Sequence, residues 1–284
     1  MPNLFGSIAP LLWSLIPTLS YFLTHIDSAL LLSICFLSFA FLGISYGFFS
    51  KKLAVIFKQQ PEFYFYSVLG IFGFHFFYFL ALKMVPAIAA LLIVNTGGIL
   101  IIIYNSIFNK VAFTSKYLIG FCLCFLGILF IVSGAEQKFI ANPNDWGYLF
   151  AFLAANCWSI YTAKAKQFAD TKIEAIIASC LYSGIISLIW FLLASEFTAF
   201  LALSLKSMLL IIFTGVFPMG ASFFLWYYGN KHGNVNLLAI ISYIAPILGT
   251  IWLILLGISN FYAEIIYAFI LIFSGIFFAS GQKK

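Results

Sequence analysis

The chain is a succession of about ten apolar stretches, each roughly 20 residues long, with almost no soluble sequence between them. Each stretch is long enough to cross a hydrocarbon core of roughly 30 Å as an α-helix. That pattern leaves few folds open. A segment in lipid must satisfy its backbone internally, so only helices and closed barrels span a bilayer. Barrel strands alternate apolar and polar residues, and these stretches do not. The sequence therefore predicts an all-α integral membrane protein with ten transmembrane helices. The spans fall at roughly 4–24, 28–49, 63–82, 86–108, 117–134, 145–168, 174–194, 206–229, 233–257 and 261–280. The first lacks a basic flank and a small-residue cleavage site, and reads as a retained helix rather than a signal peptide.

Charged residues make up only 8% of the 284, against about 25% in soluble proteins. Nothing is left over for a soluble domain. The net charge is +6 and every basic residue is a lysine. With ten spans and a cytosolic N-terminus, eleven lysines face inward: Lys51, Lys52, Lys58, Lys110, Lys116, Lys164, Lys166, Lys172, Lys231, Lys283 and Lys284. Three face outward: Lys83, Lys138 and Lys206. That asymmetry is the positive-inside pattern and predicts that both termini are cytosolic, in a bacterial inner membrane. The charge thus reports orientation in a lipid bilayer, not binding to nucleic acid. Cys35, Cys122, Cys124, Cys157 and Cys180 all lie within spans and read as small apolar residues, without a disulfide framework or a metal site.

Ten spans divide into five and five. Trp13-Ser14 with Thr18 in span 1 matches Trp158-Ser159 with Thr162 in span 6. Phe76-Phe77-Tyr78-Phe79 in span 3 matches Phe223-Phe224-Leu225-Trp226 in span 8. The separation is about half the chain in both cases, so the sequence reads as repeat 1 over 1–140 and repeat 2 over 141–284. An odd number of spans per repeat inverts the second copy, the plan of many secondary transporters, whose solute site lies at the midplane between the copies.

With these features the chain resembles the EamA-type drug/metabolite transporters. The resemblance covers nearly the whole length. It includes the Trp-Ser pairs and Ala81-Leu82 leading to Pro86. His232-Gly233-Asn234-Val235, followed by Ser242-Tyr243-Ile244-Ala245-Pro246, is similar to the aromatic amino acid exporters of that superfamily. Where that subgroup carries Asn-Tyr-Leu-Trp-Pro in span 4, this chain has Asn95-Thr96-Gly97-Gly98-Ile99, and Asn109 stands near the place where many members carry a glutamate. The Asn is kept and the aromatics are lost. The resemblance implies a transporter exporting amino acids or related metabolites. The changed span 4 keeps open an importer or exchanger of another polar metabolite, nucleotide-like or methyl-donor.

Depth along each helix, at 1.5 Å per residue, selects the candidate substrate-binding residues near the midplane: Trp13, His75, Tyr78, Asn95, Trp158, Tyr161 and Tyr243. Asn95 offers two donors and an acceptor to a zwitterion, or an interhelical hydrogen bond. The aromatic residues offer a wall and a cation–π face for an amine, or simple packing. His75 is either a proton carrier or a packing histidine. No Asp or Glu lies at mid-depth; Glu62, Glu136, Asp145, Glu196 and Glu264 sit near span ends, so uniport fits better than proton antiport through a buried carboxylate. Pro10, Pro17, Pro218 and Pro246 interrupt spans 1, 8 and 9. Gly97, Gly98 and Pro246 occupy corresponding places and are the candidate gating residues. Gly233 is expected to supply a left-handed turn between spans 8 and 9. No His/Asp/Glu cluster, phosphate loop or Ser/His/Asp set suggests an enzyme, a metal or a cofactor. The expected assembly is a monomer or weak dimer.

Overall fold

The computed structural model describes residues 1–134 and 144–281, and all of its regular structure is helical. The expected repeat boundary at 140/141, with Glu136, Lys138, Lys283 and Lys284, lies outside the described residues. Among the described residues, eight helical runs are long and apolar enough to cross a membrane: α1 (Pro2–Phe22), α2 (Ser28–Phe49), α3 (Pro61–Met84), α4 (Ala87–Asn109), α5 (Ser115–Gly134), and, beyond α6, α7 (Ala175–Ala194), α8 (Leu205–His232) and α9 (Val235–Leu255). α6 (Asp145–Lys164) is 20 residues long but more polar, because it carries Asn156, Ser159 and Thr162. α10 (Glu264–Ser280) is apolar but only 17 residues long. The outward surface is apolar, with Phe41, Leu193 and Phe277 largely exposed, as lipid-facing helices require.

The helix starts are written locally. Asp27 accepts hydrogen bonds from the amides of Ala29 and Leu30 and caps α2. Asn144 caps α6 through Trp146, and Asn234 caps α9 through Leu237. Each satisfies amide groups that a helix N-terminus leaves without a partner.

Packing joins the two halves of the chain helix by helix. α1 runs with α8, α3 with α6, α2 with α7, and α5 with α10. Small residues permit the closest approaches. A side chain at Gly229 would lie 2.5 Å from the Gly6 backbone, and one at Gly275 would lie 2.7 Å from the Gly120 carbonyl. In a membrane, where lipid removes the hydrophobic drive between helices, such close contact is what holds a bundle.

Three helices are interrupted near their middles, each at a hydroxyl residue. Ser14 in α1, Thr96 in α4 and Ser242 in α9 donate to the carbonyls three residues earlier, those of Leu11, Ile93 and Ala239. Such bonds compete with the regular ladder. In α1 and α9 a proline follows within one turn: Pro17 displaces the carbonyl of Trp13, and Pro246 that of Ser242. Two further irregularities are π-helical turns, Leu69–Gly73 in α3 and Gly215–Ala221 in α8, the latter containing Pro218.

The ends of the bundle differ in charge. Asn234 donates to Asn3 and to Tyr117, and Gly120 packs on Ala279, so the start of α1, the start of α5, the α8–α9 turn and the end of α10 share one face. Lys52 pairs with Glu174 at 3.2 Å and Lys164 with Glu62 at 4.0 Å on that same face. The bond to Glu174 holds the Lys52 ammonium above its usual pKa. Lys83 and Lys206 lie at the other end, in the last turn of α3 and the first of α8.

Candidate functional site

Where α1, α6 and α8 cross, three indole rings meet. Trp13 contacts Trp158 edge-on at 5.4 Å between centroids and Trp226 at 5.0 Å, and Trp158 stacks on Trp226 at 6.1 Å. Each of two indole N–H groups is held across helices: Trp13 donates to Ser222 Oγ at 2.6 Å, and Trp226 to Thr162 Oγ1 at 3.0 Å. Ser222 in turn donates to the carbonyl of Pro218 at 2.6 Å. That hydroxyl thereby ties Trp13 to the π-helical turn of α8, whose irregular backbone offers carbonyls outside the α-ladder.

Tyr161, one turn along α6, packs edge-on against Trp158 at 5.6 Å and is 3% exposed. Its ring sits on the α3 π-turn, where it fills the space that a side chain at Gly70 would need. The Tyr161 hydroxyl is buried without a hydrogen-bond partner among the described residues. His75 joins from α3. Its Nδ1–H donates to the carbonyl of Ile71 at 2.6 Å, and its ring meets Phe36, Phe74 and Phe223 edge-on. Tyr78 stands one ring further out, stacked at 5.8 Å on Phe74, which itself touches Trp158.

Asn95 and Tyr243 form a second group. The Tyr243 hydroxyl donates to the Asn95 carbonyl, joining the breaks in α4 and α9. The Asn95 side-chain amide donates to Leu91 in its own helix, at 2.8 Å. Gly97 and Gly98 carry this junction. The Gly97 carbonyl accepts from Ser159 of α6 at 3.0 Å, and a side chain at Gly98 would collide with Tyr243 at 2.6 Å. Ser159, beside Trp158, thus links the second group to the first.

Of the seven residues selected by depth, Trp13, Trp158, Tyr161 and His75 share one aromatic centre, Tyr78 borders it, and Asn95 with Tyr243 lies across Ser159. The break in α9 falls at Ser242–Tyr243, one turn ahead of Pro246, and that in α4 at Thr96, just ahead of Gly97 and Gly98. Depth reasoning missed Trp226, which is completely buried. It stood in the repeat match as the last residue of the span 8 motif, and that was the available signal. One expectation is corrected. Gly233 has φ −110° and ψ −156°, an extended rather than left-handed conformation. What excludes a side chain there is space, because it would collide with Asn3 Oδ1. The five cysteines are free thiols, four of them buried. Among the described residues no three His, Cys, Asp or Glu side chains gather as a metal site.

Comparison with known proteins agrees with this architecture. Residues 145–281 match the model of the EamA-like transporter family. The aromatic amino acid exporter YddG of Ancylobacter novellus is 27% identical over 266 residues, 90% of this chain and 89% of its own length. An uncharacterized transporter of Archaeoglobus fulgidus is 24% identical over 66% of this chain and 65% of its own length. A solved crystal structure superposes with a TM-score of 0.90 at 26% identity, covering 98% of this chain and 96% of that one. The chain is therefore a multi-pass membrane protein that is similar to the EamA-like transporters over its second half and to a small-molecule transporter over most of its length.

Proposed function

We propose that this protein exports amino acids, aromatic, hydrophobic or of broad range, across the bacterial inner membrane by alternating access, as a monomer or weak dimer. All ten helices cross the bilayer in this reading, as two inverted five-helix repeats with both termini in the cytosol. The observation that carries it is the aromatic centre, built by α1 and α3 of one half with α6 and α8 of the other. The pairing of helices supports the inversion. Exchanging the halves turns the α1–α8 contact into the α6–α3 contact, and maps α2–α7 and α5–α10 onto themselves. The π-turns of α3 and α8 and the breaks of α4 and α9 correspond in the same way. The activity for which the Ancylobacter novellus relative is named supports the solute class.

Rocking one half against the other separates α1 from α8 at one end and α3 from α6 at the other. The tryptophan contacts lie between, so a solute with an amine and an apolar side chain meets indole faces in either state. A cation–π contact to such an amine contributes about 0.5–2 kcal/mol. Asn95, Gly97, Gly98, Tyr243 and Pro246 act as the joint of α4 and α9 in this mechanism.

Counterflow in proteoliposomes tests the reading. Labelled phenylalanine or methionine is expected to exchange saturably, with exchange reduced at least tenfold by Trp158→Ala. A panel containing nucleosides and methyl donors decides the solute class: exchange of those compounds with indifference to every amino acid defeats the proposal.

A further inference from the structure

At the lysine-rich end, a cavity of about 320 Å³ opens where the two halves meet. Asn3, Asn105 and Tyr117 line it from the first half, and Lys166, His232 and Asn234 from the second. Among the described residues no carboxylate lines it, and its ionisable side chains are those of Tyr117, Lys166 and His232. Its walls are cross-linked by amides. The Asn234 backbone N–H donates to Asn3 Oδ1 at 2.7 Å, and the Asn234 side-chain amide donates to the Tyr117 hydroxyl at 2.8 Å. Asn105 donates to Asn236 Oδ1 at 2.7 Å, and accepts from Asn109, which also donates to the Ala163 carbonyl at 2.8 Å. Asn105 and Asn236 are 2% and 0% exposed, and the remaining Asn236 Nδ2 is a buried donor without a partner among the described residues.

We infer that this cavity is an inlet site for the carboxylate of the transported solute; the inference rests on the export reading above. Lys166 is the charge partner and the amides of Asn105 and Asn234 are the neutral donors. The chemistry follows from the donor set. An ammonium and primary amides offer N–H groups to an oxyanion, and bonds to an ionised acceptor are stronger than neutral ones. Asn105 and Asn234 each give one amide hydrogen across the seam, to Asn236 and Tyr117, and the NH2 group of each carries a second with which to meet a carboxylate. The volume suits one small metabolite.

Protection of a thiol introduced within the cavity provides the test. Val111 lines the cavity and is half-buried. Val111→Cys is made in a Cys122→Ala background, because Cys122 is the exposed native thiol. The whole protein, in nanodiscs of zwitterionic lipid, is alkylated in the presence of phenylalanine, benzoate, or their amides phenylalaninamide and benzamide. The acids are expected to protect the introduced thiol and the amides not. Lys166→Gln is expected to weaken protection by about tenfold, and Lys166→Arg to restore most of it. Equal protection by acid and amide, no protection by either, or insensitivity to Lys166→Gln overturns the inference. A parallel sample in phosphatidylglycerol separates solute from lipid: full protection by that lipid without solute assigns the cavity to a headgroup phosphate and also overturns it. Counterflow run on the same preparation keeps the two readings apart. Protection by benzoate without exchange of any amino acid leaves the carboxylate site standing and removes the export reading. Exchange without protection does the reverse.

Discussion

The aromatic centre and the amide seam join the same two halves by opposite means. At the centre, ring against ring, the contacts are dispersive and tolerate sliding; only Trp13, Trp158 and Trp226 with two hydroxyl partners fix the geometry. At the seam, Asn3, Asn105, Asn109, Asn234 and Asn236 make directional bonds that exist in one arrangement or not at all. A carrier needs both kinds. On the export reading, the aromatic centre holds different solutes and must adapt, whereas the seam closes and must be either shut or open, and hydrogen bonds supply that discreteness better than packing does.

If the contrast is right, the two regions respond differently to mutation. The largest effect belongs to Trp226→Ala, which empties a fully enclosed indole site and leaves the Thr162 hydroxyl without its donor. A loss of about 3–5 kcal/mol is expected, by comparison with other large-to-small core changes. Thermal unfolding in detergent measures it, and an unchanged midpoint would show that the three indoles do not act as one packed unit. Gly229→Val comes next. Its side chain would meet the Gly6 backbone at 2.5 Å, so α1 and α8 must part at the seam end. Overpacking of this kind costs about 1–3 kcal/mol, and the variant is expected to lose unfolding stability while the thiol introduced by Val111→Cys becomes more reactive. The smallest change in stability is that of Asn105→Leu. Hydrogen bonds between membrane helices average about 0.6 kcal/mol, so the melting curve barely moves, yet alkylation of the same introduced thiol should accelerate several-fold. Retention of the unmutated seam's alkylation rate in Asn105→Leu would remove the seam from the closing mechanism.

Much of this was legible in the order of residues alone. Span lengths follow from apolar runs, and the structure places helices in every one, although α6 and α10 fall short of the length or apolarity that marks the other eight. Trp13 and Trp158 were legible because an indole at midplane depth has no interfacial reason to be there. Trp226 was not, because a span ending at 229 puts it three residues from the inner end, where an indole reads as an interfacial anchor, whereas α8 runs on to His232. The amide seam was hidden for another reason. Asparagines near helix ends are ordinary caps and turn residues, and nothing local tells that Asn105 and Asn236, 131 positions apart, share a bond. The close approach of Gly233 to Asn3 was equally invisible; the glycine looked like a turn signal and proved to be a clearance.

The hydroxyls of Ser14, Thr96 and Ser242 bear on how cheaply such a molecule moves. A continuous helix behaves as a stiff rod, and tilting one part must break or stretch its ladder. Here three rods are already jointed, and at each joint the hydroxyl donates to a carbonyl of the near segment, a bond that does not involve the far one. Under the proposed alternating access, the far segments of α1, α4 and α9 would swing about joints already present, and the barrier would lie more in the surfaces that separate than in the helices that bend.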